Sequence, residues 1–162
     1  MASADDVTIE ELTSDEDDQI KRMLVELTEG EQLHYNHPRE TRDELSARLR
    51  VSPRFTGENH VLVARDPEGE ALGLCWVVLF DPGTGLEGEV AELYVRPDAR
   101  ERGIARRLVH EAVTLLRNRH VMFAAVWTRD DNQAALAAYR AAGFTPTTQT
   151  VLTWLPLPDG GS

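Results

Sequence analysis

Residues 89–127 constrain the fold of this chain more than any other stretch. The strand-like run EVAELYV ends at Arg96-Pro97 and a turn follows. GIARRLVHEAVTLLRNR then sets Ile104, Ala105, Leu108, Val109, Ala112, Leu115 and Leu116 on one helical face, and the apolar run VMFAAVW comes next. Strand, helix, strand in that order predicts a right-handed parallel crossover. Upstream, NHVLVARD and EALGLCWVVLF flank the turn PEG and read as an antiparallel hairpin. The whole reads as α+β: a mixed, mostly antiparallel central sheet with one parallel β-α-β step and helices on both faces.

The remaining segments fill in that plan. VTIEEL (7–12) is expected to be a first strand, and SDEDDQIKRMLVELTEG a helix that starts at Ser14 and stops at Gly30. ETRDELSARLR is a second helix between Pro38 and Pro53, DPGTGLEG a loop, and NQAALAAYRAAGF a thin, alanine-rich helix. TTQTVLTWL (147–155) is expected to be a last strand, which places Trp76, Trp127 and Trp154 all on strands. A chain of 162 residues suits one domain, read as 1–155, with 156–162 a flexible tail.

Charge is unevenly spread. The net charge is −11, yet the first twenty residues hold eight acids and no base, so the other 142 carry only −3. That acidity reads as a solvated face before an attraction for a cationic partner, and no long basic stripe supports a nucleic-acid partner. The start has no apolar leader and the longest apolar run, 71–80, is too short to span a bilayer, so a cytoplasmic protein with no membrane partner is expected. The single cysteine, Cys75, lies inside that run and reads as core filler.

Against this background, RPDARERGIARR gathers five arginines around one glycine. A helix beginning there presents unpaired backbone N–H groups along the positive end of its dipole. Gly103 lets a ligand oxygen approach the backbone, and Ala105 keeps that approach open. Donors, dipole and arginines together point to a di- or triphosphorylated ligand. The lysine and hydroxyl of a nucleotide P-loop are missing, as are the three glycines of a dinucleotide fingerprint. Glu92 is the second chemical signal: it interrupts the apolar strand directly upstream of the turn, where a carboxylate is costly unless used or satisfied. Alternation puts it on one face with Tyr94, opposite Leu93 and Val95.

Arg100-Glu101-Arg102-Gly103-Ile104-Ala105 resembles the Q/R-x-x-G-x-G/A motif of the GNAT acetyltransferases. Asn132, Ala135, Tyr139, Gly143 and Phe144 match that family's N-x-x-A-x-x-x-Y-x-x-x-G-F signature. The resemblance covers roughly residues 60–154 and leaves the first 55 largely unmatched. It implies acetyl-CoA as cosubstrate, its pyrophosphate on the N–H groups of Arg102, Gly103, Ile104 and Ala105, with Arg100 and Arg106 nearby. It also implies a pantetheine arm along the backbone of Leu93, Tyr94 and Val95, Tyr139 as proton donor to the leaving thiolate, and Glu92 as base. Asn132 either caps its helix or binds the arm, and Ala135 keeps the helix thin beside it. Glu31, His34 and Tyr35 fall in the region lining the acceptor pocket, with His34 or His37 as alternative bases; no metal is expected. His60, His110 and His120 show no evident partners in the sequence. The implied activity is N-acetyl transfer to a primary amine, a small cationic molecule, by direct attack in a ternary complex. A protein or peptide acceptor and a silent, CoA-binding regulatory or interaction module are the alternatives, and a homodimer through 147–155 is an open possibility.

Overall fold

The computed structural model describes residues 7–14, 18–34 and 39–154. Helices α1 (Asp18–His34) and α2 (Arg42–Arg48) precede strands β1 (Thr56–Arg65), β2 (Ala71–Asp81) and β3 (Glu87–Val95); then come α3 (Ile104–Asn118), β4 (Phe123–Val126) and α4 (Gln133–Ala141). The strands form one sheet in the order β1-β2-β3-β4. The first two pairings are antiparallel and β3–β4 is parallel, as the β-α-β reading requires.

Alternation along the strands separates two sheet faces. Cys75, Val77 and Leu79 of β2 and Val90 of β3 are buried against Leu108, Val109, Ala112 and Leu116 of α3, forming the main core with Ala138 and Tyr139 of α4. Each such Leu or Val stabilises the fold by about 1.5–3 kcal/mol relative to exposure. Gly88 permits the close approach: a Cβ there would lie 2.7 Å from Leu116 Cδ2. A further fastening joins β1 to the C-terminal end of α3, where Arg119 grips Glu58 with both guanidinium nitrogens, one at 2.6 Å from Oε2.

The α1–α2 pair has a separate small core of Val25, Leu45 and Leu49. A capping box starts α2, with Thr41 Oγ1 accepting from the Glu44 N–H and the Glu44 carboxylate accepting from the Thr41 N–H. The pair meets the sheet at the β2–β3 loop, where the Arg50 N–H donates to Gly83 O (2.8 Å) and Arg48 donates to Thr84 O. The C-terminal part of α1 thereby comes near the face opposite α3. Burial first, then the charges of Asp81 and Glu31, push the Glu87 carboxyl up.

Several expectations need correction. Residues 7–12 form no strand, and Ile9 is 90% exposed. Residues 147–154 are likewise irregular, with Leu152 90% and Trp154 84% exposed. Only Trp76 of the three tryptophans lies on a strand, since β4 stops at Val126. Gly30 does not end α1: it sits exposed inside the helix, and a mid-helix glycine costs only about 1 kcal/mol. His60 is not partnerless; its Nε2 lies 2.9 Å from Glu58 Oε2.

Candidate active site

The arginine turn is built to leave the start of α3 open. After β3 a short 3₁₀ turn, Pro97–Ala99, leads to Glu101 and Gly103, both in left-handed backbone conformations (φ 60° and 75°). Gly103 occupies the N-cap position, and no side chain caps the helix there. The first bond back to it is Arg107 N–H to Gly103 O, so the N–H groups of Ile104, Ala105 and Arg106 precede the helical ladder. Nothing lies within 4 Å of where a Gly103 Cβ would stand, so space is open above the turn.

The five arginines divide by role. Arg96 is already spent on the fold: its guanidinium binds Glu70 at 2.6 Å and Asp98 at 2.7 Å, tying the turn to the β1–β2 hairpin. Arg100 Nε donates to Val95 O (3.0 Å), and its guanidinium carbon stands 6.0 Å from the centroid of the Tyr94 ring. Arg102, Arg106 and Arg107 are exposed around the helix start. Arg106 and Arg107 also line a cleft of about 290 Å³ with His110, Glu111, Ala141 and Ala142, between α3 and α4.

Beside this turn the sheet opens. β4 pairs with β3 only from Glu87↔Phe123 to Val90↔Val126, whereas β2 follows β3 on to Gly73↔Val95. A bulge opposite Trp76/Val77 marks the parting. Residues 91–95 therefore have a strand partner on one edge and none on the other among the described residues. An extended ligand arm can pair with such an edge as a further strand would.

The two candidate catalytic groups belong to opposite sides of the sheet. Leu93 and Val95 pack toward the main core, so Glu92 and Tyr94 face the opposite side, where Glu92 is exposed across from Trp76. Tyr139 is on the core side, 5% exposed, its ring edge-on to Phe144 with centroids 5.6 Å apart. Burial chiefly, then the charges of Cys75 and Glu92, push its phenol up to about 12. Asn132 is the N-cap of α4: its Oδ1 accepts from the Ala135 N–H at 3.2 Å, while Ala135 itself packs partly buried against the core.

The model of the acetyltransferase (GNAT) family matches residues 20–144. The chain belongs to the GNAT acetyltransferase family. Among its relatives, the mycothiol acetyltransferase of Cellulomonas flavigena is 33% identical over 135 residues, covering 77% of this chain and 38% of that protein. The mycothiol acetyltransferase of Tsukamurella paurometabola is 35% identical over 79 residues, covering 49% of this chain and 27% of that protein. The chain thus spans well under half the length of these curated relatives. In fold it resembles the crystal structure of a probable acetyltransferase, at a TM-score of 0.53 and 18% identity, covering 90% of this chain and 97% of that one. An aminoglycoside acetyltransferase from an uncultured soil metagenomic sample, solved in complex with sisomicin, gives a TM-score of 0.53 at 16% identity, with 85% and 89% of the two chains covered.

The residues that the resemblance assigns to the acceptor are less fully described. Glu31 and His34 occupy the exposed last turns of α1, and Tyr35 and His37 lie outside the described residues. Among the described residues no group of three or more His, Cys, Asp or Glu side chains could hold a metal ion, and no helix is long and apolar enough to cross a membrane. Two features of the site escaped the sequence reading. The bulge at the parting of β3 and β4 has no residue-type signal in EVAELYV. His110 could have been found, because it follows Arg106 and Arg107 by one helical turn on the way to the α3–α4 cleft.

Proposed function

We propose that this GNAT domain transfers an acetyl group from acetyl-CoA to the primary amine of a small cationic molecule, by direct attack within a ternary complex in the cytoplasm. The observation that carries the reading is the free β3 edge running to the uncapped start of α3, with Glu92 on the outward face of the sheet and Tyr139 on its core side. These residues fit coenzyme A: the N–H groups of Ile104, Ala105 and Arg106 would hold the diphosphate with Arg102, and the 91–95 edge the pantetheine arm. When bound, the coenzyme supplies an acyl group activated as a thioester. The chain's own residues do the rest.

An amine with an ordinary pKa near ~10.4 is protonated at neutral pH, and freeing its lone pair costs roughly 4–5 kcal/mol. The ammonium sheds its first proton to solvent, and the neutral amine bonds to the acyl carbon. Glu92, exposed on the outward face, accepts the second proton from nitrogen as the amide forms. Tyr139, held protonated by burial, is a donor throughout and never a base. Its phenol at about 12 is a weaker acid than a thiol near ~8.5, so full proton transfer to sulfur runs uphill. Its contribution is therefore a hydrogen bond that stabilises the departing thiolate, with solvent supplying the proton. Cys75 does not compete as a covalent carrier: it is fully buried and burial pushes its thiol up to about 11. That favours direct attack over an acyl-enzyme.

Charge orders the two substrates. Along its outward face β3 runs from Glu87, Glu89 and Glu92 to Tyr94 beneath the Arg100 guanidinium. A cationic acceptor is drawn to the acidic end and an anionic coenzyme to the basic turn. Thiol release from acetyl-CoA across a panel of amines tests the proposal. Release that depends on a cationic amine supports it; coenzyme binding with no turnover on any amine would replace it with a silent coenzyme-binding module.

A further inference from the structure

We infer that Trp76 is a specificity-determining residue, an immobilised aromatic surface that selects a cationic acceptor beside Glu92; this rests on the acetyl-transfer reading and adds the chemistry by which the acceptor is chosen. The register sets Trp76 directly across from Glu92 in the antiparallel β2–β3 pair, at the bulge where β3 parts from β4. Side chains so opposed have Cβ atoms about 4.5–5.5 Å apart. A large aromatic residue in mid-strand is ordinarily covered, yet Trp76 is 39% exposed.

It is also held in place. The indole N–H donates to Asn59 Oδ1 at 2.8 Å, reaching across to β1 on the same outward face. That bond satisfies the polar edge of the ring and fixes its orientation, so the remaining surface is offered to a ligand at little further entropic cost. Val61, in register with Trp76, and Val63 of β1 lie exposed on that face, so the surface beside the indole is apolar. Glu87 and Glu89 stand farther along β3 on the same side, so the local field is negative. An aromatic face in a negative field next to a carboxylate base recognises an ammonium or quaternary ammonium group through cation–π attraction. A neutral or anionic acceptor gains neither term.

The test uses two primary amines of nearly equal shape, (2-aminoethyl)trimethylammonium and 3,3-dimethylbutylamine, which differ by one permanent positive charge. Each is titrated calorimetrically into protein saturated with coenzyme A, so binding is read without turnover. The wild type is expected to prefer the quaternary probe. Trp76→Leu should lower that preference by about 2- to 30-fold, Trp76→Phe should retain part of it, and Asn59→Ala should fall between as the indole loosens. If Trp76→Leu fails to fold, the Phe and Asn59 variants carry the comparison. A preference that survives in all variants, no preference in the wild type, or no binding of either probe overturns the assignment. Thiol release assayed in parallel separates the two claims. Discrimination in binding without turnover sinks the catalytic reading and leaves Trp76 standing, while turnover with undiminished preference in Trp76→Leu does the reverse.

Discussion

The segment from β2 to α4 and the α1–α2 pair are held by different means. In the first, a continuous core joins β2, β3, α3 and α4, and Tyr139 is itself a member of that core. In the second, three buried residues suffice, supplemented by exposed or half-exposed ion pairs, Arg42 with Glu29 and Arg48 with Glu40, both at 2.7 Å. Such pairs add little to stability in water. On the proposed reading the groups that hold the thioester stand on the continuous core, as do Glu92 and Trp76 on the acceptor's side, while only Glu31 and His34 stand on the more lightly held pair.

Glu92→Gln should lower kcat/KM by roughly 10²–10⁴-fold with acetyl-CoA affinity kept, whereas Glu31→Gln should change only the KM for the amine. Steady-state kinetics with both substrates varied decides it; equal effects would erase the distinction. Next come the two cores. Leu79→Ala and Leu45→Ala should each cost about 2–5 kcal/mol in denaturant unfolding, both side chains being fully buried. Only Leu79→Ala should also weaken coenzyme binding, and loss of coenzyme binding in Leu45→Ala would show that the two regions are one. Tyr139→Phe should lower kcat by roughly 10- to 150-fold, the value of one hydrogen bond to a charged group, without moving the coenzyme affinity.

The smallest effect belongs to the β1–α3 fastening. Arg119, then His60, hold the Glu58 carboxyl down to about 2 from 4.5. A group depressed on folding contributes stability that is complete above its unfolded value and is lost as pH falls from about 4.5 toward 2. Thermal unfolding of Glu58→Gln should therefore differ from wild type by a few degrees at most at pH 7, and the two should converge at the acid end. A gap that widens on acidification would contradict the assignment.

What the sequence revealed follows the same boundary. The face of α3 that is buried, Leu108, Val109, Ala112 and Leu116, is the one its helical periodicity marks, and the parallel step follows from chain order alone. Where burial did not enforce the pattern, reading failed. VTIEEL and TTQTVLTWL alternate like strands, but alternation states only that a segment could lie on a sheet, and neither finds a partner strand among the described residues. The parting of β3 from β4 was invisible because it is a property of two strands and a bulge, not of any residue type. Arg96 was misjudged for a related reason: its neighbours Glu70 and Asp98 claim it, and Glu70 is 26 positions away in the chain.

The central claim is that the first amides of α3 grip a diphosphate while the free edge of β3 carries the arm that ends in the thioester. Titration calorimetry of acetyl-CoA against S-acetylpantetheine, which has the arm and lacks the diphosphate, tests it directly. The account predicts saturable binding of acetyl-CoA and an affinity for S-acetylpantetheine lower by about 100-fold or more, since several charge-assisted hydrogen bonds are lost. Equal affinities, or no binding of acetyl-CoA at all, would contradict it.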